Sequence, residues 1–182
     1  AAAAAARLGC PVVYVNQVGG NDELVFDGGS FITGADGTIR QQLTWAASDL
    51  GVWDAAGEAE TPAEREPFPL PEPEELLLRA LVLGLRDYAR KCGFRRALLG
   101  LSGGIDSALV AVLAAAALGA EQVQALLMPS PWSSAGSIDD SLALAERLGL
   151  ATRTVPIAPL MTSFDAALSP ALDGAPAGLT AE

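Results

Sequence analysis

Six consecutive residues, Ser102-Gly103-Gly104-Ile105-Asp106-Ser107, bring two adjacent glycines, two hydroxyls and a carboxylate into one stretch. Paired glycines inside an apolar run cost backbone entropy and forgo packing, so the turn they allow must serve a purpose. Glycines let successive N–H groups point at one spot, and a helix opening just after them places roughly half a positive charge there. Ser102 and Ser107 add hydroxyl donors. Such a turn is a nest for a phosphate or pyrophosphate. No lysine accompanies it, so the GxxxxGKS/T pattern is not met, and neither is GxGxxG. Neutralising bound phosphates then falls to a metal, and Asp106 offers the hard oxygen that Mg²⁺ prefers. A bare GG pair would most simply be a structural turn; the full SGGxDS pattern between a strand and a helix favours the nest.

The elements that must position this turn are legible on both sides. A strand over 97–101 precedes it and a helix over about 105–118 follows. A strand at 123–128, a helix at about 136–149 and a strand at 151–157 continue the alternation, which predicts a parallel sheet with right-handed crossovers. Upstream, "PEELLLRALVLGLRDYARKCGF" predicts a helix. Pro73, Glu74 and Glu75 stand at its start, Arg90 and Lys91 in its last turn, and Gly93 just past it. Further upstream, Pro11–Asn16 (PVVYVN) reads as a buried strand. "ELVFDG" and "SFITGADGTIR" read as short alternating runs, the second with an Asp36-Gly37 hairpin turn, and Leu43–Gly51 continues the region weakly. Between these halves, Asp54–Glu75 is acidic and proline-rich with few large apolar residues, and reads as a linker.

Composition narrows the chemistry. Apolar residues make up 51% of the 182, which suits a globular chain with a core, and no apolar stretch approaches the length of a membrane span. The opening alanines lack the basic start of a secretory signal and look like the end of a helix. A net charge of −11 argues against a nucleic-acid binder. Cys10 and Cys92 have no CxxC spacing, which suggests neither zinc nor a disulfide framework; both read as packing residues in a reducing cytoplasm. There is no histidine. That removes Ser-His-Asp and Cys-His machinery and leaves carboxylates, hydroxyls, backbone amides and a bound ion.

Three stretches carry a family resemblance. "GLSGGIDSALV" resembles the pyrophosphate loop of the N-type ATP pyrophosphatases. "LLMPSPWSSAGSIDDSLALAERLGL" is similar to the MPSxxSSxxSxxDAxxLAxxLG stretch of NAD⁺ synthetases. "VYVNQVGGNDELVFDGGSF" resembles the last strands of the nitrilase-like glutaminase domain fused ahead of the glutamine-dependent members. Their order, with a linker between, covers nearly the whole chain. The resemblance implies an α/β chain: the C-terminal part of a nitrilase-like domain (1–53), a linker (54–75), and the N-terminal part of a synthetase domain with a doubly wound parallel sheet (76–182).

What the resemblance implies for function is specific. ATP adenylates the nicotinate carboxylate of deamido-NAD⁺, and ammonia released from glutamine displaces AMP. Carried over, Gly100, Leu101, Ser102, Gly103, Gly104, Ile105, Asp106 and Ser107 hold the ATP phosphates, with Asp106 on Mg²⁺. Met128, Ser133 and Ser134 lie in a loop on the adenosine side, where Pro131 and Trp132 stand at positions that many relatives fill with an arginine and an aromatic. Taken alone, Trp132 is either a surface anchor or the edge of the core. Glu23, Asp27 and Ser30 either brace the glutaminase fold or lie on a solvated hairpin. No glutaminase nucleophile is expected within the chain, which reads as a fragment whose parent is a cytoplasmic homo-oligomer binding neither nucleic acid nor membrane. By itself the piece is expected to lack glutaminase activity and to bind ATP weakly. Two other readings stand beside this one: another amidotransferase with the same loop, such as a GMP or asparagine synthetase, and an inactive scaffold.

Overall fold

Alanine has the strongest intrinsic helix preference, and the opening run folds accordingly. In the computed structural model, which describes residues 1–54 and 70–172, α1 spans Ala2–Leu8 and ends on Gly9 in the left-handed conformation (φ 61°). Most of the expected linker, residues 55–69, lies outside the described residues. The chain divides into two compact units, Ala1–Arg95 and Arg96–Glu182.

The first unit is antiparallel. Strands β1 (Val12–Tyr14), β4 (Phe31–Thr33) and β5 (Ile39–Gln42) form one sheet in the order β1-β4-β5, and β2 (Val18–Asn21) pairs with β3 (Leu24–Asp27) as a separate hairpin. The Asp36-Gly37 turn closes β4 onto β5 as expected. Gly37 has φ 83°, and the Asp36 carboxylate accepts from the Thr38 amide (3.0 Å) and hydroxyl (2.7 Å). The Thr38 hydroxyl, followed by its amide, holds that carboxyl below the ordinary aspartate value. β1 departs from expectation: it is three residues long, and Val13, Tyr14 and Val15 are exposed rather than buried. Tyr14 stacks on Phe31 of β4 at 5.0 Å, so the strand is held by pairing and one aromatic contact rather than by a cover on both faces. Leu43–Gly51 contributes only an isolated bridge, Gly28 with Trp45.

Asn16 braces this unit through its side chain. Its amide Nδ2 donates to Asp27 Oδ1 (3.0 Å) and to the Gly28 carbonyl (2.9 Å), while its backbone N–H donates to the Ser30 hydroxyl (3.0 Å). Asp27 and Ser30 therefore do brace the fold, and exposed Glu23 sits in the β2–β3 turn.

α2 (Pro73–Cys92) starts on proline, carries Glu74 and Glu75 in its first turn and Arg90 and Lys91 in its last, and ends on left-handed Gly93 (φ 76°). It packs on β2 and β3, which is why the first unit extends to Arg95 although the change in sequence character falls near residue 76. Both cysteines are exposed. They are not packing residues: Cys10 follows the left-handed cap of α1, and Cys92 is the last residue of α2.

The second unit is the α/β alternation. β6 (Ala97–Gly100), β7 (Val123–Leu127) and β8 (Ala151–Thr154) form a parallel sheet in that order. α3 (Ile105–Leu118), α4 (Ala135–Leu148) and α5 (Ala158–Leu172) complete it. Each strand is a residue or more shorter than its apolar run suggested. Alanines let α3 approach the sheet closely: Ala111, Ala114 and Ala117 are buried, and Ala111 and Ala114 form a core with Val123, Ala125, Leu101, Ala145 and Leu150. α3 and α4 pack on the sheet and against each other, so they lie on one face. On the other face Leu98 is 62% exposed.

Candidate functional site

The strand–turn–helix context expected for the SGGxDS stretch is present. β6 ends at Gly100, the buried Leu101 extends it by donating its amide to the Leu126 carbonyl (2.8 Å), and Gly104 caps α3 with extended backbone (φ −86°, ψ 159°). The two glycines do different work. Gly103 has φ 81°, and a Cβ on it would lie 2.5 Å from the Ser137 carbonyl oxygen, so it must be glycine because the start of α4 presses on it. A Cβ on Gly104 would meet only the Ser102 hydroxyl, at 3.4 Å.

The turn is closed by its own hydroxyls. Ser107 Oγ accepts from the Ser102 amide (3.2 Å), donates to the Gly104 carbonyl (3.0 Å) and lies 3.0 Å from Ser102 Oγ, which in turn accepts from the Gly104 amide (3.3 Å). At the start of α3 the amides of Ile105, Asp106 and Ser107 have no intrahelical acceptor and carry the positive end of the helix dipole. Ile105 and Asp106 are exposed in that first turn.

A cleft of about 260 Å³ opens beside the turn, lined by Gly100, Leu101 and Ser102 on one side and by Leu127 to Pro129, Ser133, Ser137, Ile138 and Ser141 on the other. The 128–134 loop is itself ordered by serines. The Ser130 amide donates to Ser133 Oγ (2.9 Å), the Trp132 amide to Ser130 Oγ (3.2 Å), and Ser134 caps α4 by accepting from the Ser137 amide (3.1 Å). Of the residues read from sequence on this side, Met128 and Ser133 line the cleft, whereas Ser134 serves as the helix cap. Trp132 is 65% exposed, and of its two readings the surface position holds. Gly103, Gly104, Ile105, Asp106 and Ser107 flank the cleft without lining it. Ser137 and Ser141 were not singled out by sequence. Their i, i+4 spacing on a helix capped by Ser134 was an available signal, since it places both on one face. Ser141 is buried, with its hydroxyl donating to the Ser137 carbonyl (2.8 Å).

Among the described residues no group of three histidine, cysteine or acidic side chains could hold a metal, and no helix is long and apolar enough to cross a membrane.

Residues 77–180 match the family model for NAD synthase. The chain belongs to the NAD synthase family. Residues 1–57 match a second model, carbon-nitrogen hydrolase, so the two halves match two families in the order the sequence suggested. Over 180 residues the chain is 50% identical to the glutamine-dependent NAD(+) synthetase of Synechocystis sp., and over 179 residues 44% identical to that of Rhodobacter capsulatus, covering 98% and 97% of this chain. It spans about a third, 32%, of the length of both relatives. A solved glutamine-dependent NAD+ synthetase from Acinetobacter baumannii, in complex with adenosine diphosphate, superposes with a TM-score of 0.90 at 37% identity, covering 99% of this chain and 34% of that one. The parallel-sheet α/β fold and the partial nitrilase-like region are those of this NAD synthase family.

Proposed function

We propose that the chain supplies the phosphate-binding turn, and part of the glutaminase fold, of an enzyme that converts deamido-NAD⁺ to NAD⁺ with ATP and nitrogen from glutamine. The observation that carries this reading is the Ser102–Ser107 turn, placed at the carboxyl end of a parallel strand, beside a serine-lined cleft and at the N-terminus of a helix. In open α/β sheets that rim is where ligands bind.

In this reading ATP lies across the rim, with its phosphates on the turn and its nucleoside in the cleft toward Met128 and Ser133. The Gly103 amide and the first amides of α3 meet phosphate oxygens. The Ser102 and Ser107 hydroxyls, now bonded to each other, re-aim toward the same oxygens with little backbone movement. The exposed Asp106 carboxylate suits Mg²⁺: an ion that takes most of its ligands from phosphates and water needs only one or two protein carboxylates. When bound, the ion neutralises charge on the leaving pyrophosphate. The nicotinate carboxylate attacks the α-phosphorus and pyrophosphate leaves. Ammonia then displaces AMP from the acyl adenylate. The chain's own contribution is to bind, orient and neutralise charge, and its lack of histidine suits that role. The family resemblance also supports a cytoplasmic homo-oligomer for the complete gene product, which sedimentation would test.

The test is product stoichiometry. The complete gene product, given ATP, Mg²⁺, glutamine and deamido-NAD⁺, should form AMP, pyrophosphate, glutamate and NAD⁺ in equal amounts. Pyrophosphate release that depends on xanthosine monophosphate or aspartate instead would move the assignment to another amidotransferase. Formation of ADP and phosphate would refute the adenylation step.

A further inference from the structure

The family match and the packing divide this chain at different places. The NAD synthase match begins at residue 77, inside α2, yet α2 packs on β2 and β3, in the region of the carbon-nitrogen hydrolase match. Its seating there is specific. In a hairpin with the two-residue turn Asp22–Glu23, Gly20 pairs with Val25 at a position whose N–H and C=O point away from the partner strand. Both groups are taken by α2: Asp87 Oδ2 accepts the Gly20 N–H (3.1 Å), and Lys91 Nζ donates to the Gly20 carbonyl. Lys91 stands 3.6 Å from the same Asp87 oxygen, and Arg90 donates to the other at 3.1 Å.

Gly19 and Gly84 make the approach possible, and Gly20 sits at ordinary contact distance from the helix. A Cβ on Gly19, which has φ 123°, would lie 2.5 Å from Asp87 Oδ2; one on Gly20 would lie 3.6 Å from the Gly84 backbone; and one on Gly84 would lie 3.0 Å from Val25. The Asp87 side chain is only 13% exposed. An exposed ion pair contributes little, but a largely buried carboxylate with a backbone donor and two cations in reach is the stronger, charge-assisted kind of contact. From this seat α2 continues through residues 93–96 into β6, whose far end carries the phosphate-binding turn.

We propose that Asp87 and Lys91 form a latch through which α2 couples the β2–β3 hairpin to the parallel-sheet module, so that amidation fed by glutamine depends on the latch while amidation fed by free ammonium does not. The inference rests on the amidation proposed above, and it makes Asp87 and Lys91 positioning residues that touch no substrate.

The experiment compares NAD⁺ formation with saturating glutamine and with saturating ammonium chloride in the complete gene product, for wild type, Asp87→Ala, Lys91→Met and Arg90→Ala. The glutamine-to-ammonium rate ratio should fall about tenfold in Asp87→Ala and Lys91→Met, while their ammonium-supported rates stay within about twofold of wild type. Arg90, whose side chain is 71% exposed, should leave both rates within about twofold. An unchanged ratio, or an equal fall in both rates, would overturn the latch. Should Asp87→Ala fail to fold, Lys91→Met decides, because methionine keeps the aliphatic stem and removes only the cation. A wild-type protein that makes no NAD⁺ from either nitrogen source would overturn the amidation reading itself, a result distinct from an unchanged ratio.

Discussion

Replacing Gly103 by alanine tests the geometry of the phosphate-binding turn most directly. At φ 81° an L-residue is strained, and a left-handed conformation costs roughly 1–2 kcal/mol outside glycine. The new methyl would also lie 2.5 Å from the Ser137 carbonyl oxygen and 2.7 Å from its Cα. Both contacts are to backbone at the start of α4, so relief requires the helix itself to retreat by about 1 Å to reach an ordinary carbon contact. Overpacking of that kind costs about 1–3 kcal/mol. Together the two effects predict about 2–5 kcal/mol of destabilisation. The adjacent Gly104→Ala offers a matched control, since its φ of −86° suits any residue and its Cβ would sit 3.4 Å from a single hydroxyl. Its cost should stay near 1 kcal/mol, the usual penalty for alanine at a helix N-cap. Urea unfolding of the 182-residue chain, followed by tryptophan fluorescence and by far-ultraviolet circular dichroism, measures both. A Gly103→Ala variant within 1 kcal/mol of wild type, or a Gly104→Ala variant that is the worse of the two, would refute the reasoning.

Three further outcomes are expected. Asp106→Asn in the complete gene product should lower AMP formation by about 3–4 kcal/mol of transition-state stabilisation, and normal AMP formation in that variant would remove the metal role. Burial pushes the Asp87 carboxyl up, but the Gly20 amide and the charges of Arg90 and Lys91 outweigh it and hold the group below its ordinary value of 3.8. A lowered pKa gives stability that is full above the ordinary value and lost as pH falls through the lower one, so the urea midpoint of wild type should drop below about pH 4 more steeply than that of Asp87→Asn, and parallel curves would contradict this. Cys10→Ala should leave glutamine hydrolysis within about twofold of wild type, because Cys10 is an exposed residue next to a helix cap; loss of hydrolysis would make it the nucleophile.

What could be read from the sequence followed its punctuation. Pro73, the acids behind it and Gly93 bounded α2 correctly because each acts through backbone geometry or the helix dipole within a single turn. Gly103-Gly104 and Asp36-Gly37 marked turns for the same local reason. Properties that depend on distant neighbours did not show. The run of β-branched and aromatic residues at Val12–Val15 implied burial, but burial depends on what lies across the strand, and Val13, Tyr14 and Val15 are exposed. The apolar face of α2 announced that the helix packs without naming its partner; the trace of that partner was Gly19, whose meaning depends on Asp87 beside it, and Gly84, whose meaning depends on Val25 opposite it. On the cleft, Ser133 and Ser137 both stand at serines of the family stretch, whereas Ser141 stood out only once α4 had a face.

The one-way stepping of the parallel strands has a consequence for what the cleft can measure. Because β6 and β7 are adjacent and in register, Gly100 beside Leu126, the loops that leave them start one strand spacing apart, about 4.8 Å. A molecule lying across that rim spans two crossovers at once, on a ruler set by backbone hydrogen bonds. Changes in either loop can therefore retune how tightly such a molecule is held, while the length between its two points of attachment stays fixed by the sheet.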